Sequence, residues 1–252
     1  MRAYLYKAFY TRLLGGYRKL FSQMPTKLKL NYSQDGLYTI HNTSFIEDSK
    51  FKHAYDMAKA TGSWGGADVE WRVHISLWLS LQAARLEGDF VECGTNRGGI
   101  ATAILTYLAE SANFQSKTFY CFDTFEGLSK KYSSVSEYEN TLGHYSDCFA
   151  DVQKHFAKYP QVKLIKGAIP ETLVDFKCSK VAFIHIDMNC AIPEIAAAEF
   201  FWPYLVSGGY MLLDDFAWEA CGEQRQAFVE FAKKHQIEIL WIPTGQGLIQ
   251  KP

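Results

Sequence analysis

The sequence predicts an α/β fold, with a mostly parallel sheet covered by helices on both faces. Three observations carry that prediction. Short runs rich in β-branched and aromatic residues recur along the chain, as expected of strands buried on both sides. Segments with apolar residues at helical spacing separate most of them, and strands alternating with helices imply parallel pairing. The chain has 252 residues, 48% hydrophobic and 21% charged, which suits a globular protein with a full core.

The elements follow in order. Residues 44–60 and 67–86 read as helices. In the second, Val69, Val73, Leu77 and Leu81 repeat on one face, and Trp71, Ile75, Trp78 and Leu79 widen it. DFVECG is a strand, followed by a helix from Gly98 to Ala109. KTFYCFD is the next strand, and a polar stretch with one or two helices runs to Tyr159. VKLIKG, KVAFIHID and GGYMLLDD are three more strands, separated by helical segments near 170–176 and 193–205. After a helix from about Glu219 to His235, IEILWI and GLIQ, joined by PTGQ, read as a closing hairpin.

Composition excludes several classes of function. A net charge of −1 argues against a nucleic-acid footprint over the whole domain. The six cysteines are scattered without a CxxC pair, which suits reduced core thiols in a cytoplasmic protein. No apolar run reaches the ~18 residues of a membrane span. Charge is nevertheless uneven. Arg2, Lys7, Arg12, Arg18, Lys19, Lys27 and Lys29 precede any acidic residue, interleaved with apolar and aromatic side chains. This segment lacks the continuous apolar core and cleavage site of a signal peptide. It reads either as a basic amphipathic helix making peripheral contact with a membrane or partner, or as an arm packing on its own domain or across a homo-oligomer. Gly15 and Gly16 interrupt any long helix and favour the arm. The expected division is an N-terminal arm and lid region over 1–65 and the sheet domain over 66–252.

In open α/β sheets the ligand crevice lies beyond the carboxyl ends of the strands. Those ends are Glu92 with CGTNRGG, Asp123 with TFEG, Gly167 with AIP, Asp187 with MN, and Asp214 with Asp215. Four of the five carry acids. Helix N-capping, which Asp favours, explains one or two of these and not four. In the first loop Gly94, Gly98 and Gly99 permit a tight turn and close approach of a ligand. The loop is not the GxGxxG fingerprint that seats a pyrophosphate. The carboxylate of Glu92, two residues before Gly94, suits a cationic or hydroxyl-bearing ligand end instead. Asp123 ends the next strand, where an acid can accept two ribose hydroxyls.

Taken in order and spacing, VECGTNRGG, FDTFEGL, GAIPETL, HIDMN and GGYMLLDDF resemble the macrocin O-methyltransferase (TylF/MycF) family over about residues 85–250. These are class I S-adenosylmethionine-dependent methyltransferases acting on sugar hydroxyls. The resemblance implies their Rossmann-like seven-stranded sheet and a magnesium ion. It implies that Glu92 and the loop holding Gly94, Thr95, Gly98 and Gly99 take the methionine part of S-adenosylmethionine. It places Asp123 on the ribose, Phe125 and Ala168 near the adenine, and Asp187, Asp214 and Asp215 on the metal. Mg²⁺ takes oxygen ligands and keeps waters that a substrate diol can replace, acidifying a hydroxyl for a nearby carboxylate to deprotonate. His185, two residues before Asp187 on the same strand, reads either as a general base or hydrogen-bond partner for the metal cluster, or as a satisfied histidine packed under a helix.

One departure stands out. Where the family's pattern is closer to aspartate-x-aspartate followed by leucine-tyrosine, this chain has Asn189 and then Cys190 and Ala191. An amide can still contact a metal or a hydroxyl, with one charge fewer. The expected function is transfer of a methyl group to a hydroxyl of a saccharide precursor or glycosylated natural product. O-methylation of a catechol-like diol, a cofactor-binding non-catalytic partner and a membrane-docked subunit remain as alternatives.

Overall fold

In the computed structural model, which describes residues 30–141 and 143–252, seven strands form one sheet in the order β5-β4-β3-β6-β7-β9-β8. Their ranges are β3 (Asp89–Cys93), β4 (Phe119–Asp123), β5 (Val162–Lys166), β6 (Val181–Ile186), β7 (Leu205–Leu213), β8 (Leu240–Trp241) and β9 (Gly247–Gln250). β3, β4, β5, β6 and β7 pair in parallel. β9 joins β7 and β8 antiparallel, as the closing hairpin requires.

Before the sheet, β1 (Tyr32–Gln34) and β2 (Leu37–Thr39) form a separate hairpin. Its turn has Asp35 at φ +49° and Gly36 at φ +72°, the pair of left-handed residues that a two-residue hairpin turn needs. Helix α1 (Ser49–Lys59) starts at Asp48, whose carboxylate accepts the Phe51 N–H at 2.9 Å, a capping bond that replaces one missing at the helix end. The chain continues through α2 (Glu70–Ala83), α3 (Gly99–Tyr107) and the short α4 (Ala112–Gln115). α5 (Val135–Thr141) and α6 (Phe149–Phe156) lie between β4 and β5. α7 (Ala191–Phe201) and α8 (Gly222–His235) complete the set. The segment near 170–176 is one 3-10 turn, Glu171–Leu173.

Side chains alternate across the sheet as period-two geometry dictates. Phe90 and Phe183 enter the core on one face, with Phe51, Ala54 and Tyr55 of α1, Val73 of α2 and Ile104 of α3. Val91, Ile184 and Met211 enter the other, against Ala197 and Phe201 of α7 and Phe228 of α8. Helix α1 therefore shares the core of the sheet domain although it lies N-terminal to residue 66. Glu92 and His185 are register partners across β3 and β6, on the same face as Phe90 and Phe183. β4 and β5 extend to one side of β3 and β6 and β7 to the other, so the crevice opens where β3 meets β6.

The basic segment up to Lys29 lies outside the described residues. No described helix is long and apolar enough to cross a membrane.

Candidate active site

The carboxyl ends of β3, β4 and β6 border a pocket that opens to solvent. Its lining includes Glu92, Gly94, Thr95, Gly99, Asp123, Phe125, Ala168, Asp187 and Asn189. The strand-end reading thus brings most of its candidates to one place. Gly98 is not on that wall; it precedes α3 at φ +83° and faces the Phe156 ring. His185, Asp214 and Asp215 are also absent from the lining.

Glu92 is 1% exposed. Its Oε1 is 3.4 Å from His185 Nδ1, while Oε2 is buried without a hydrogen-bond partner. Thr95 Oγ1, nearby on the loop, is also buried and unpartnered. Buried polar atoms are almost always paired; Thr95 lies close enough to Glu92 to stabilise its carboxylate, and both residues line the pocket, where a polar ligand would complete their bonding. Burial pushes the Glu92 carboxyl up, against the pull of His185. Asp123 is fixed by its neighbours: Asn96 N–H donates to Oδ2 at 2.7 Å and Phe125 N–H to Oδ1 at 2.5 Å. A carboxylate has about four acceptor directions, so these bonds aim it without exhausting it.

His185 is a buried bridge. Its Nε2 lies 3.4 Å from Asp214 Oδ1, opposite its contact with Glu92. Burial alone would favour the neutral ring, but the two carboxylates outweigh it and lift the pKa to about 10. Because the folded value exceeds the unfolded ~6.5, the stabilisation is complete below that value and is lost as pH rises through about 10. Between those limits wild-type stability should fall by up to about 1.4 kcal/mol per pH unit more than that of His185→Asn. Urea denaturation of both proteins at several pH values checks this; parallel pH dependences would show that the ring is neutral.

The acids expected to hold magnesium are arranged differently. Arg72, 8% exposed at the start of α2, donates from Nη1 to Asp214 Oδ2 at 2.5 Å, to the Asp214 carbonyl at 3.0 Å and to Asp215 Oδ1 at 3.2 Å. Its Nε donates to Asp35 Oδ2 at 2.6 Å. Gln246 Nε2 donates to Asp214 Oδ1 at 2.8 Å. Asn189 Nδ2 donates to Asp187 Oδ1 at 3.0 Å. Among the described residues, no group of three or more acids, histidines or cysteines is set to hold a metal. The oxygens that Mg²⁺ would need are largely committed to donors, so the residues present do not fit the ion.

The sequence reading missed Arg72 and Asp35, which packing brings from far along the chain. It also missed Glu137. Ser134 and Glu137 form a capping box: Glu137 Oε2 accepts the Ser134 N–H at 2.8 Å and Ser134 Oγ accepts the Glu137 N–H at 3.2 Å. The other oxygen of Glu137 accepts the Ala191 N–H at 2.8 Å. The S-x-x-E spacing carried that signal. Tyr145, from the same insertion, lines the pocket; burial and then the negative charge of Asp187 raise its pKa.

The sequence profile of the macrocin O-methyltransferase (TylF) family matches residues 32–242. The chain belongs to this family. It is 25% identical to mycinamicin III 3''-O-methyltransferase of Micromonospora griseorubida over 162 residues, covering 60% of this chain and 62% of that protein. It is 27% identical to 8-demethyl-8-(2,3-dimethoxy-alpha-L-rhamnosyl)-tetracenomycin-C 4'-O-methyltransferase of Streptomyces olivaceus over 152 residues, covering 56% of this chain and 58% of that protein. The chain thus spans about three-fifths of the length of these curated relatives. Its fold matches the O-methyltransferase NovP with a TM-score of 0.59 at 20% identity, over 71% of this chain and 79% of that one.

Proposed function

We propose that this chain transfers a methyl group from S-adenosylmethionine to a hydroxyl of a sugar or sugar-bearing acceptor. Membership of the family and the sugar methyltransferases among the relatives support the reaction class. The observation that supports the cofactor is a buried Glu92 carboxyl with one oxygen unpartnered, on the wall of a pocket that Asp123 also lines. Glu92 receives an ammonium group there, and the Thr95 hydroxyl adds a polar contact. Asp123 accepts ribose hydroxyls, and Phe125 and Ala168 flank a base.

The sulfonium supplies an electrophilic methyl carbon. An acceptor oxygen forms the new C–O bond as the C–S bond breaks, and the hydroxyl proton needs a base on the pocket wall. We assign that role to Asp187, an acid on the pocket wall. Burial holds its carboxyl well above the ordinary range, with Asp214 and Asp215 adding to the rise against His185 and Arg72. A raised carboxyl holds the proton it accepts more firmly. Asn189 donates to one Asp187 oxygen and so leaves the other for the acceptor. No step in this reading passes through a metal.

Calorimetric titration with S-adenosylhomocysteine, followed by mass spectrometry of methyl transfer to rhamnosyl and other deoxyhexosyl glycosides, tests the proposal. Saturable binding and a gain of one CH₂ on the sugar are expected. Failure to bind S-adenosylhomocysteine ends the methyltransferase reading.

A further inference from the structure

We propose that Arg72 is the resident counter-ion of the acids ending β6 and β7, standing where the family resemblance implies a divalent metal. The guanidinium reaches three carboxylates at once. Its Nε meets Asp35, and its Nη1 meets Asp214 and Asp215. Its charge also lies over the Trp218 ring, 5.1 Å from the centroid. A planar fork of fixed donors suits this multiple pairing better than an ammonium does.

Four of the six carboxylate oxygens of Asp187, Asp214 and Asp215 are committed to nitrogen donors. Asp214 spends Oδ2 on Arg72 and Oδ1 on Gln246, with His185 at 3.4 Å. Asp215 gives Oδ1 to Arg72 and Asp187 gives Oδ1 to Asn189. Mg²⁺ demands near-octahedral oxygens at about 2.0–2.1 Å, a geometry that nitrogen donors on the same oxygens obstruct. Its entry would also set a divalent charge beside a buried guanidinium and strip that guanidinium of two of its three carboxylate partners.

The hairpin completes the arrangement. Its turn delivers Asp35 to Arg72 Nε, while Tyr32 Oη donates to Glu70 at 2.9 Å. The start of α2 is thus fastened from the N-terminal side as well as from the ends of the strands. Arg72 is a positioning residue: it holds Asp214 and Asp215 behind Asp187, and only Asp187 of the three lines the pocket. The assignment goes beyond the proposed reaction and concerns the same site.

Manganese titration followed by electron paramagnetic resonance tests it on the full chain loaded with S-adenosylhomocysteine. The wild type should leave Mn²⁺ free up to about millimolar concentration, and Arg72→Met should gain a site at least about tenfold tighter. Arg72→Lys, which retains a cation, should behave as the wild type. Uptake of one Mn²⁺ by the wild type at about 100 µM, displaced by Mg²⁺, overturns the proposal. So does a folded Arg72→Met that binds no more Mn²⁺ than the wild type. Should that variant not fold, the wild-type titration still decides. The two readings fail separately, since absence of S-adenosylhomocysteine binding removes the methyltransferase and Mn²⁺ uptake by wild type removes the arginine.

Discussion

Gly94→Ala should lose more than about 4 kcal/mol of stability, a magnitude reserved for severe steric or burial defects. The residue sits at φ +96°, and an added Cβ would lie 1.7 Å from the Asp187 carbonyl oxygen and 2.4 Å from its carbon. Both atoms are backbone, so no rotamer change relieves the clash. The surrounding chain has little freedom to retreat. Gly94 N–H donates to the Phe122 carbonyl at 2.8 Å, and Asp187 N–H to the Cys93 carbonyl at 2.8 Å. Separating them would part β3 from β6 at the crevice. Since domains are stable by only about 5–15 kcal/mol, much of the protein should be unfolded or depleted on expression. Urea denaturation measures the loss, and a change under about 1 kcal/mol would mean the strand ends are not held this tightly.

Glu92→Gln should weaken S-adenosylhomocysteine binding by about 2 kcal/mol or more, on the order of thirtyfold in Kd. The substitution keeps the shape of the side chain and removes the charge facing the ammonium. His185 retains Asp214 as its partner, 3.4 Å away, so the fold should survive. A melting temperature close to wild type, read beside the calorimetry, separates lost contact from lost structure. If affinity stays within about threefold, less than 1 kcal/mol, the ammonium is not bound at Glu92.

The pocket wall formed by the first two strand ends was legible because it is written locally. Glu92 lies near the end of one strand with Gly94 and Thr95 just after it, Asp123 ends another with Phe125 just after it, and a strand–turn–helix pattern fixes where such residues end up. The closing hairpin was legible for the same reason. The acid cluster was only half legible. Asp187, Asp214 and Asp215 could be placed at strand ends, but their charge partner lies 142 positions before Asp214 on a helix read for its apolar face. No local period announces such a pairing. The first hairpin, by contrast, was available and missed: Asp35–Gly36 between alternating residues is a recognised turn signal. The capping box at Ser134 was available too.

Glu137 has one further consequence. A single carboxylate takes N–H groups from Ser134, at the entrance to α5, and from Ala191, where α7 begins. It pins the insertion to the turn that displays Asn189. Two stretches of the pocket lining, the insertion that carries Tyr145 and the turn that carries Asn189, are therefore tied together through one side chain. A change at Glu137, which is buried, would therefore be felt on both sides of the pocket at once.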